Sequence, residues 1–470
     1  VALASICLRG FRNLEPTSVD FADGSNYLFG PNGAGKTNLL EAIHYLAIGR
    51  SFRRCPDAEL LGFGRDVLVV SGTDESGDKA EIRFDGREKR ILRNNIPVEK
   101  LSEYFGWLPV VVLLLEDIEL VRGAPSLRRG YLDMAVAKAE GGRRETGDGR
   151  RSEEQGYIAL TGEYRRAVSQ YNRLLERGER GEGRGTGDEV AAWEEELVRA
   201  GVPVYEARLA KVGTLLENAA KHYERLAGHR AVFSYRVSIM PEGTRSESAN
   251  PRGQPTTGQS PDSLTKTEDS PSRAKPGDSP QFCGTVPVFA SQAELAGAFR
   301  QRLAATRERA RYLGHAVVGP HRDDIRIMRG DRELRKFGSV GEQRLAGIAL
   351  RLAEADMILS AGRQRPVFLL DEVASELDEQ RSRLVLAMVA ERGQMVYAAA
   401  RRIAPQVRIP HCPTGAAEAK DKGRNPEGGT EEAASVHDGV ASLGPLTPGP
   451  LDPFLRKEFH VEVGKVSQVS

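Results

Sequence analysis

Nine consecutive residues near the start of the chain, Gly30, Pro31, Asn32, Gly33, Ala34, Gly35, Lys36, Thr37 and Asn38, have the types and spacing to hold a polyphosphate. Residues 30–37 fit the pattern G-x-x-x-x-G-K-[ST]. Its glycines let backbone N–H groups converge on phosphate oxygens at the positive end of a following helix. Lys36 would neutralise charge on the β- and γ-phosphates, and the Thr37 hydroxyl would ligate Mg2+. Much later, Asp371 and Glu372 follow the apolar run 367–370. Asp371 is expected to hold Mg2+, and Glu372 to polarise an attacking water. A third stretch, GSVGEQR at 338–344, could also meet a phosphate through Ser339, Gly341 and the helix end near Gln343. Ser339 and Glu342 equally fit a capping box, and a capped helix end is compatible with phosphate contact.

These side chains need particular elements behind them. A strand at 27–29 precedes the glycine loop, and Leu39, Ile43 and Leu46 recur at helical spacing until Gly49. Four apolar residues ending in an acid read as a central parallel strand whose tip faces a ligand. Strands at 67–71, 81–84 and 90–94 predict an antiparallel meander. Helices are expected over 157–177 and 190–227, the second interrupted at Gly201 and Pro203. No heptad pattern persists long enough for a coiled-coil arm. The acid pair Asp-Glu suits hydrolysing ATPases of the ABC and SMC kind better than switch-type GTPases.

Two stretches, 241–281 and 413–450, are poor in core formers and are expected to stay disordered. Shorter Gly/Arg/Glu-rich patches at 139–156 and 178–189 read as surface insertions. The formal net charge is +1, so a nucleic-acid surface would have to be a local patch. Arg50, Arg53 and Arg54, with Arg90 and Arg93 on the strand meander, are the candidates for DNA phosphates. Four cysteines lie far apart and read as free thiols of a reducing compartment. With no signal-peptide pattern and no long apolar run, the expectation is a soluble, cytoplasmic protein.

Several longer blocks resemble the RecF family. They are LRGFRNLE at 8–15, GKTNLLEAIHYLAIGRSFR at 35–53, EDIELVRGAPSLRRGYLDM at 116–134, VGPHRDDIRI at 318–327, LLDEVASELD at 369–378 and FHVEVGKV at 459–466. The chain departs from the family at Leu115, usually proline, and at Glu372, often a second aspartate. Alanine occupies 398–400, where the family commonly has threonines.

The resemblance implies an α/β fold: an ABC/SMC-like P-loop ATPase head with a mixed central sheet, an antiparallel strand lobe and an inserted helical lobe. Residues 1–115 and 310–470 would form the head, and 116–309 the helical lobe. It implies ATP and Mg2+ as ligands, slow hydrolysis, and an ATP-dependent homodimer in which Ser339, Gly341, Gln343 and Asp378 of one copy meet the nucleotide of the other. Arg12 would approach the nucleotide. Double-stranded and gapped DNA, with RecR and RecO, would be partners in loading a recombinase during gap repair, with no membrane involved. Two other readings stay open at this point: an ABC-type ATPase subunit energising another process, and a DNA clamp or scaffold using ATP only as a switch.

Overall fold

Continuous apolar runs require burial on both faces, and the central sheet supplies it. All residues of Val110–Leu113 are buried, as are the four apolar residues of Val367–Asp371 and most of Gln394–Ala399. The computed structural model describes residues 2–99, 104–140, 156–179, 187–240, 281–283, 286–400 and 456–469. Of the two stretches expected to be disordered, 413–450 lies wholly outside these, as does 241–280, whereas Gln281 opens a short strand.

The central sheet runs in the order Lys465–Val469, Arg456–Glu462, Ser25–Phe29, Gln394–Ala399, Val367–Asp371, Val110–Leu113. Every neighbouring pair is parallel except the terminal hairpin, so the sheet is mixed as expected. The carboxyl ends of the parallel strands lie together, where ligands of open α/β sheets bind. Phe29, Asp371, Ala399 and Leu113 end four of them.

A second sheet of Thr17–Asp20, Leu3–Arg9, Leu68–Asp74, Lys79–Phe84, Lys89–Arg93 and Ile96–Pro97 is antiparallel throughout. Leu68–Asp74 alternates buried and half-buried residues, the mark of a sheet covered on one face. The helix Lys36–Ile48 packs against strands of both sheets. Every residue from 39 to 48 is consequently buried, and Gly49 closes the helix at φ 75°.

The helical part comprises Pro125–Glu140, Tyr157–Glu179, Gly187–Ala227 and Gln292–Leu313. The expected break at Gly201 and Pro203 does not occur: Gly187–Ala227 is one helix of 41 residues. Gly201 serves close packing instead, because a Cβ there would lie 2.8 Å from Phe299 and 3.0 Å from Tyr164. Packing against neighbouring helices outweighs the local propensity of Pro203. The expected boundary at 310 also moves. Strand Asp324–Arg329 pairs with Val232–Arg236, so residues on both sides of 310 share one sheet. Beneath it Arg208 is buried, donating to Asp133 at 2.8 Å and to the Pro320 carbonyl at 2.7 Å. His321 meets the Tyr164 hydroxyl at 2.7 Å, and Arg322 donates to the Ala316 carbonyl. The 318–327 block therefore braces this lobe. No described helix is long and apolar enough to cross a membrane.

Candidate nucleotide site

Glycine conformations shape the loop after Phe29. Gly30, Gly33 and Gly35 have φ of 154°, 80° and 113°, angles that side chains rarely adopt. Space forbids larger residues as well. A Cβ on Gly30 would lie 2.0 Å from the Val461 carbonyl oxygen, and one on Gly35 would lie 2.8 Å from Leu14. The closing hairpin braces the loop from outside, since the Gly464 N–H donates to the Ala34 carbonyl at 2.8 Å. Helix Lys36–Ile48 begins at Gly35 with no side-chain cap, leaving first-turn N–H groups for an anion. The Lys36 ammonium folds over the loop, donating to the Gly30 and Pro31 carbonyls at 2.9 and 3.0 Å.

A cleft of about 340 Å³ opens above this loop. Asn32, Gly33, Gly35, Lys36, Thr37 and Asn38 line one side, with Asp371 and Glu372 opposite. Thr37 and Asp371 both line the cleft. Burial raises the Asp371 carboxyl above its ordinary range, the neighbouring Thr37 hydroxyl opposes this, and repulsion from Glu372 and Glu116 adds to the rise. Hard oxygen donors crowded beside a hydroxyl suit a divalent cation such as Mg2+, whose charge would relieve that repulsion. Glu372 adopts φ 51°, a left-handed conformation costly for a non-glycine residue, and its N–H donates to the Ala398 carbonyl at 3.0 Å. This turn directs two successive acids differently at the end of one strand.

Three lining residues escaped the sequence reading as cleft residues: Leu115, Glu116 and Arg53. Arg53 was expected on a DNA surface, but its Nη1 donates to Asn38 Oδ1 at 3.0 Å and Glu41 Oε2 at 3.1 Å. Glu41 is fully buried and also accepts two bonds from Arg12, at 2.5 and 2.9 Å, and one from Ser51 at 2.5 Å. Arg12 is thus committed to Glu41 and does not line the cleft, contrary to expectation. The sequence signal for this hub was a lone acid inside the apolar stretch 39–48. Asn13 is a further brace, donating to the Gly33 carbonyl and accepting from Asn38.

A model of the AAA domain matches residues 5–108. The DNA replication and repair protein RecF of Moorella thermoacetica is 32% identical over 398 residues, covering 84% of this chain and 88% of that protein. The chain belongs to the RecF family. RecF of Citrifermentans bemidjiense is 30% identical over 405 residues, covering 84% of this chain and 92% of its own length. The fold is also that of a solved RecF, described as the recombination mediator protein RecF-ATP in the RecFOR pathway. That structure has a TM-score of 0.68 at 21% identity, covering 100% of this chain and 98% of its own.

Against this RecF fold, the residues expected to serve a second nucleotide fall outside the cleft. None of Ser339, Gly341, Gln343 and Asp378 lines it. Ser339 caps helix Val340–Ser360 in a reciprocal capping box with Glu342, and Ser339 and Gly341 are exposed. Glu342 is itself paired with Arg329 and lies 3.3 Å from His229. Gln343 must be corrected: it is buried, and its amide donates to the Leu334 carbonyl at 2.8 Å, so it faces the fold. Asp378 caps helix Glu379–Ala390, accepting from the Arg381 N–H at 2.9 Å. Arg344 reaches the Glu376 carbonyl at 3.2 Å, joining the Ser339 helix to the segment that follows the acid pair.

The remaining DNA candidates divide. Arg90 pairs with Glu88 at 2.8 Å and Arg93 with Asp78 at 3.0 Å, so each already has an acid beside it. Arg50 and Arg54 are exposed and have no ion pair among the described residues.

Proposed function

We propose that this chain is an ATP-gated DNA-binding protein of recombinational gap repair, closing into a homodimer when ATP is bound. The observation that carries the reading is the division of the nucleotide machinery. One cleft gathers Lys36, Thr37, Asp371 and Glu372, while the exposed end of helix Val340–Ser360 contributes nothing to it. A γ-phosphate held by the first would be met by the second only from another copy. Backbone N–H groups of 30–38 and the Lys36 ammonium would hold the phosphates, with Thr37 and Asp371 holding Mg2+. Bound Mg2+ would supply charge neutralisation on the β- and γ-phosphates. Glu372 would accept the proton of an attacking water.

Turnover is expected to be slow. Ala398 and Ala399, beside the acid pair in the sheet, bring no hydroxyl or imidazole toward the γ-phosphate. This favours ATP as a timing device for a DNA clamp, a reading continuous with the first. RecO and RecR are the proposed partners, and double-stranded or gapped DNA the proposed substrate, because relatives are named for DNA repair and a RecFOR pathway.

Light scattering of the wild type and Glu372→Gln, with and without ATP, tests the gate. The expected result is an ATP-dependent dimer that persists in Glu372→Gln and is lost in Ser339→Arg. A Glu372→Gln chain that stays monomeric at saturating ATP would overturn the proposal.

A further inference from the structure

Phe63 is fully exposed, at 106% of its reference area, on a turn that leaves it nowhere to hide. The turn is pinned on both sides. Leu61 bridges Phe11, the Gly62 N–H donates to the Gly10 carbonyl at 2.9 Å, and the Arg12 N–H donates to the Leu60 carbonyl at 2.7 Å. The flanking glycines are required by contact and conformation. A Cβ on Gly62 would lie 2.6 Å from the Arg12 carbonyl oxygen, and Gly64 has φ 68°. The Arg65 N–H closes the turn on the Gly62 carbonyl at 3.0 Å. A single exposed ring is ordinary by itself; what sets Phe63 apart is the fixed turn beneath it and, on the same turn, an arginine with no ion pair among the described residues.

The surroundings identify the partner's chemistry. Arg65 sits on the turn, and Arg54 precedes Cys55, whose sulfur touches the Arg12 guanidinium at 3.3 Å. Both arginines are exposed and carry no ion pair among the described residues. Glu59 and Asp66 are the nearby exposed acids in the chain. Val67 is the other large exposed apolar residue on this stretch, at 42%. One ring and a valine on a stretch that also carries Arg65 make too small an apolar patch for the core of a protein interface. They match a nucleic-acid strand, whose bases stack on aromatic rings while arginines hold its phosphates.

We infer that Phe63 stacks on an unpaired base where duplex DNA gives way to single strand, with Arg54 and Arg65 on the adjoining phosphates. Bases inside an intact duplex are already stacked on both faces. A ring held out from the protein therefore finds a free base face only at a gap or an end. This rests on the DNA-binding reading above and extends it to a junction-sensing residue.

The test uses the full chain with ATP and two DNAs of equal length, an intact duplex and a gapped duplex carrying 2-aminopurine at the first unpaired position. The wild type is expected to favour the gapped DNA and to change the probe's fluorescence. Phe63→Ala should lose about tenfold of that preference, the scale of one base–aromatic stack, with duplex affinity unchanged. Phe63→Trp should keep both signals. An exposed side chain supports no core, so each variant is expected to melt as the wild type does. Unchanged gap preference and probe signal in Phe63→Ala, with normal duplex binding, would overturn the inference and assign the ring to a protein partner. The proposed function would survive that result. Equal wild-type affinity for the two DNAs would also overturn the inference alone, whereas a wild type that binds neither overturns both.

Discussion

Arg351 on the helix Val340–Ser360 donates to Asp117 Oδ1 at 2.8 Å, and Asp117 follows the cleft residue Glu116 directly in the chain. The pair continues into a buried run of alternating charge. Arg351 donates to Glu354 at 3.0 Å, and Glu354 accepts from Lys138 at 2.6 Å. Lys138 belongs to helix Pro125–Glu140, so four charges tie the cleft, the Ser339 helix and the helical lobe together. Removing one member leaves an uncompensated buried charge. Arg351→Met is expected to lower stability by about 3–5 kcal/mol in urea unfolding. The pair Lys138→Met with Glu354→Leu should cost less than Lys138→Met alone, because no orphan charge remains.

Arg53 and Arg54 are neighbours in sequence but face different chemistry. Arg53 lines the nucleotide cleft, and Arg54 does not. Arg53→Ala is expected to weaken ATP binding by about tenfold or more, the loss of a charged hydrogen bond, without altering the salt dependence of DNA binding. Arg54→Ala should leave ATP affinity intact and flatten the salt dependence by about one contact. Calorimetric titration with ATP, and DNA binding across a salt series, would read the two effects separately.

Ser339, Glu342 and Gln343 are close in sequence and separable in role. Gln343→Ala removes one of the two hydrogen bonds to the Leu334 carbonyl, which keeps the Gly338 N–H at 3.0 Å, and is expected to lower stability by about 0.5–1.5 kcal/mol. Its ATP-dependent dimerisation, measured below its melting temperature, should match the wild type. Glu342→Gln keeps an acceptor for the Ser339 N–H but removes a negative charge from the helix end proposed to meet a phosphate. Its dimer is therefore expected at a severalfold lower ATP concentration.

Two histidines, His44 buried and His321 half-buried, set an acid limit. Burial, with the cations Lys138 and Arg351 contributing, lowers His44 from the ordinary 6.5 to about 3. Burial likewise lowers His321 to about 4. The unfolded chain thus binds protons that the folded chain refuses. Their contribution to stability is complete above about pH 6.5 and is lost as pH falls toward 3. Unfolding free energy measured by urea between pH 7 and 4 should decline, and His321→Asn should reduce the slope of that decline.

The chemistry of the loop and of the acid pair was legible because each is local. Gly30 to Thr37 and Val367 to Glu372 each carry their strand, turn and ligand chemistry within a few residues, and hydrophobic runs set the parallel sheet. The dimer in which Ser339 and Gly341 would meet a second nucleotide is implied by the family resemblance, not by any local pattern, and stays a proposal. What the sequence left open depends on which partners a side chain finds. That Arg53 lines the cleft is decided by Glu41 and Asn38, which the fold brings beside it. Whether Gln343 faces a phosphate or the interior is decided by the Leu334 carbonyl. Gly201 and Pro203 signalled a break that tertiary packing against Phe299 and Tyr164 overrode. Local sequence determined the phosphate loop and its acids. Tertiary structure alone decided how the buried charges were paired, because a buried charge takes whichever counter-charge the fold places within reach.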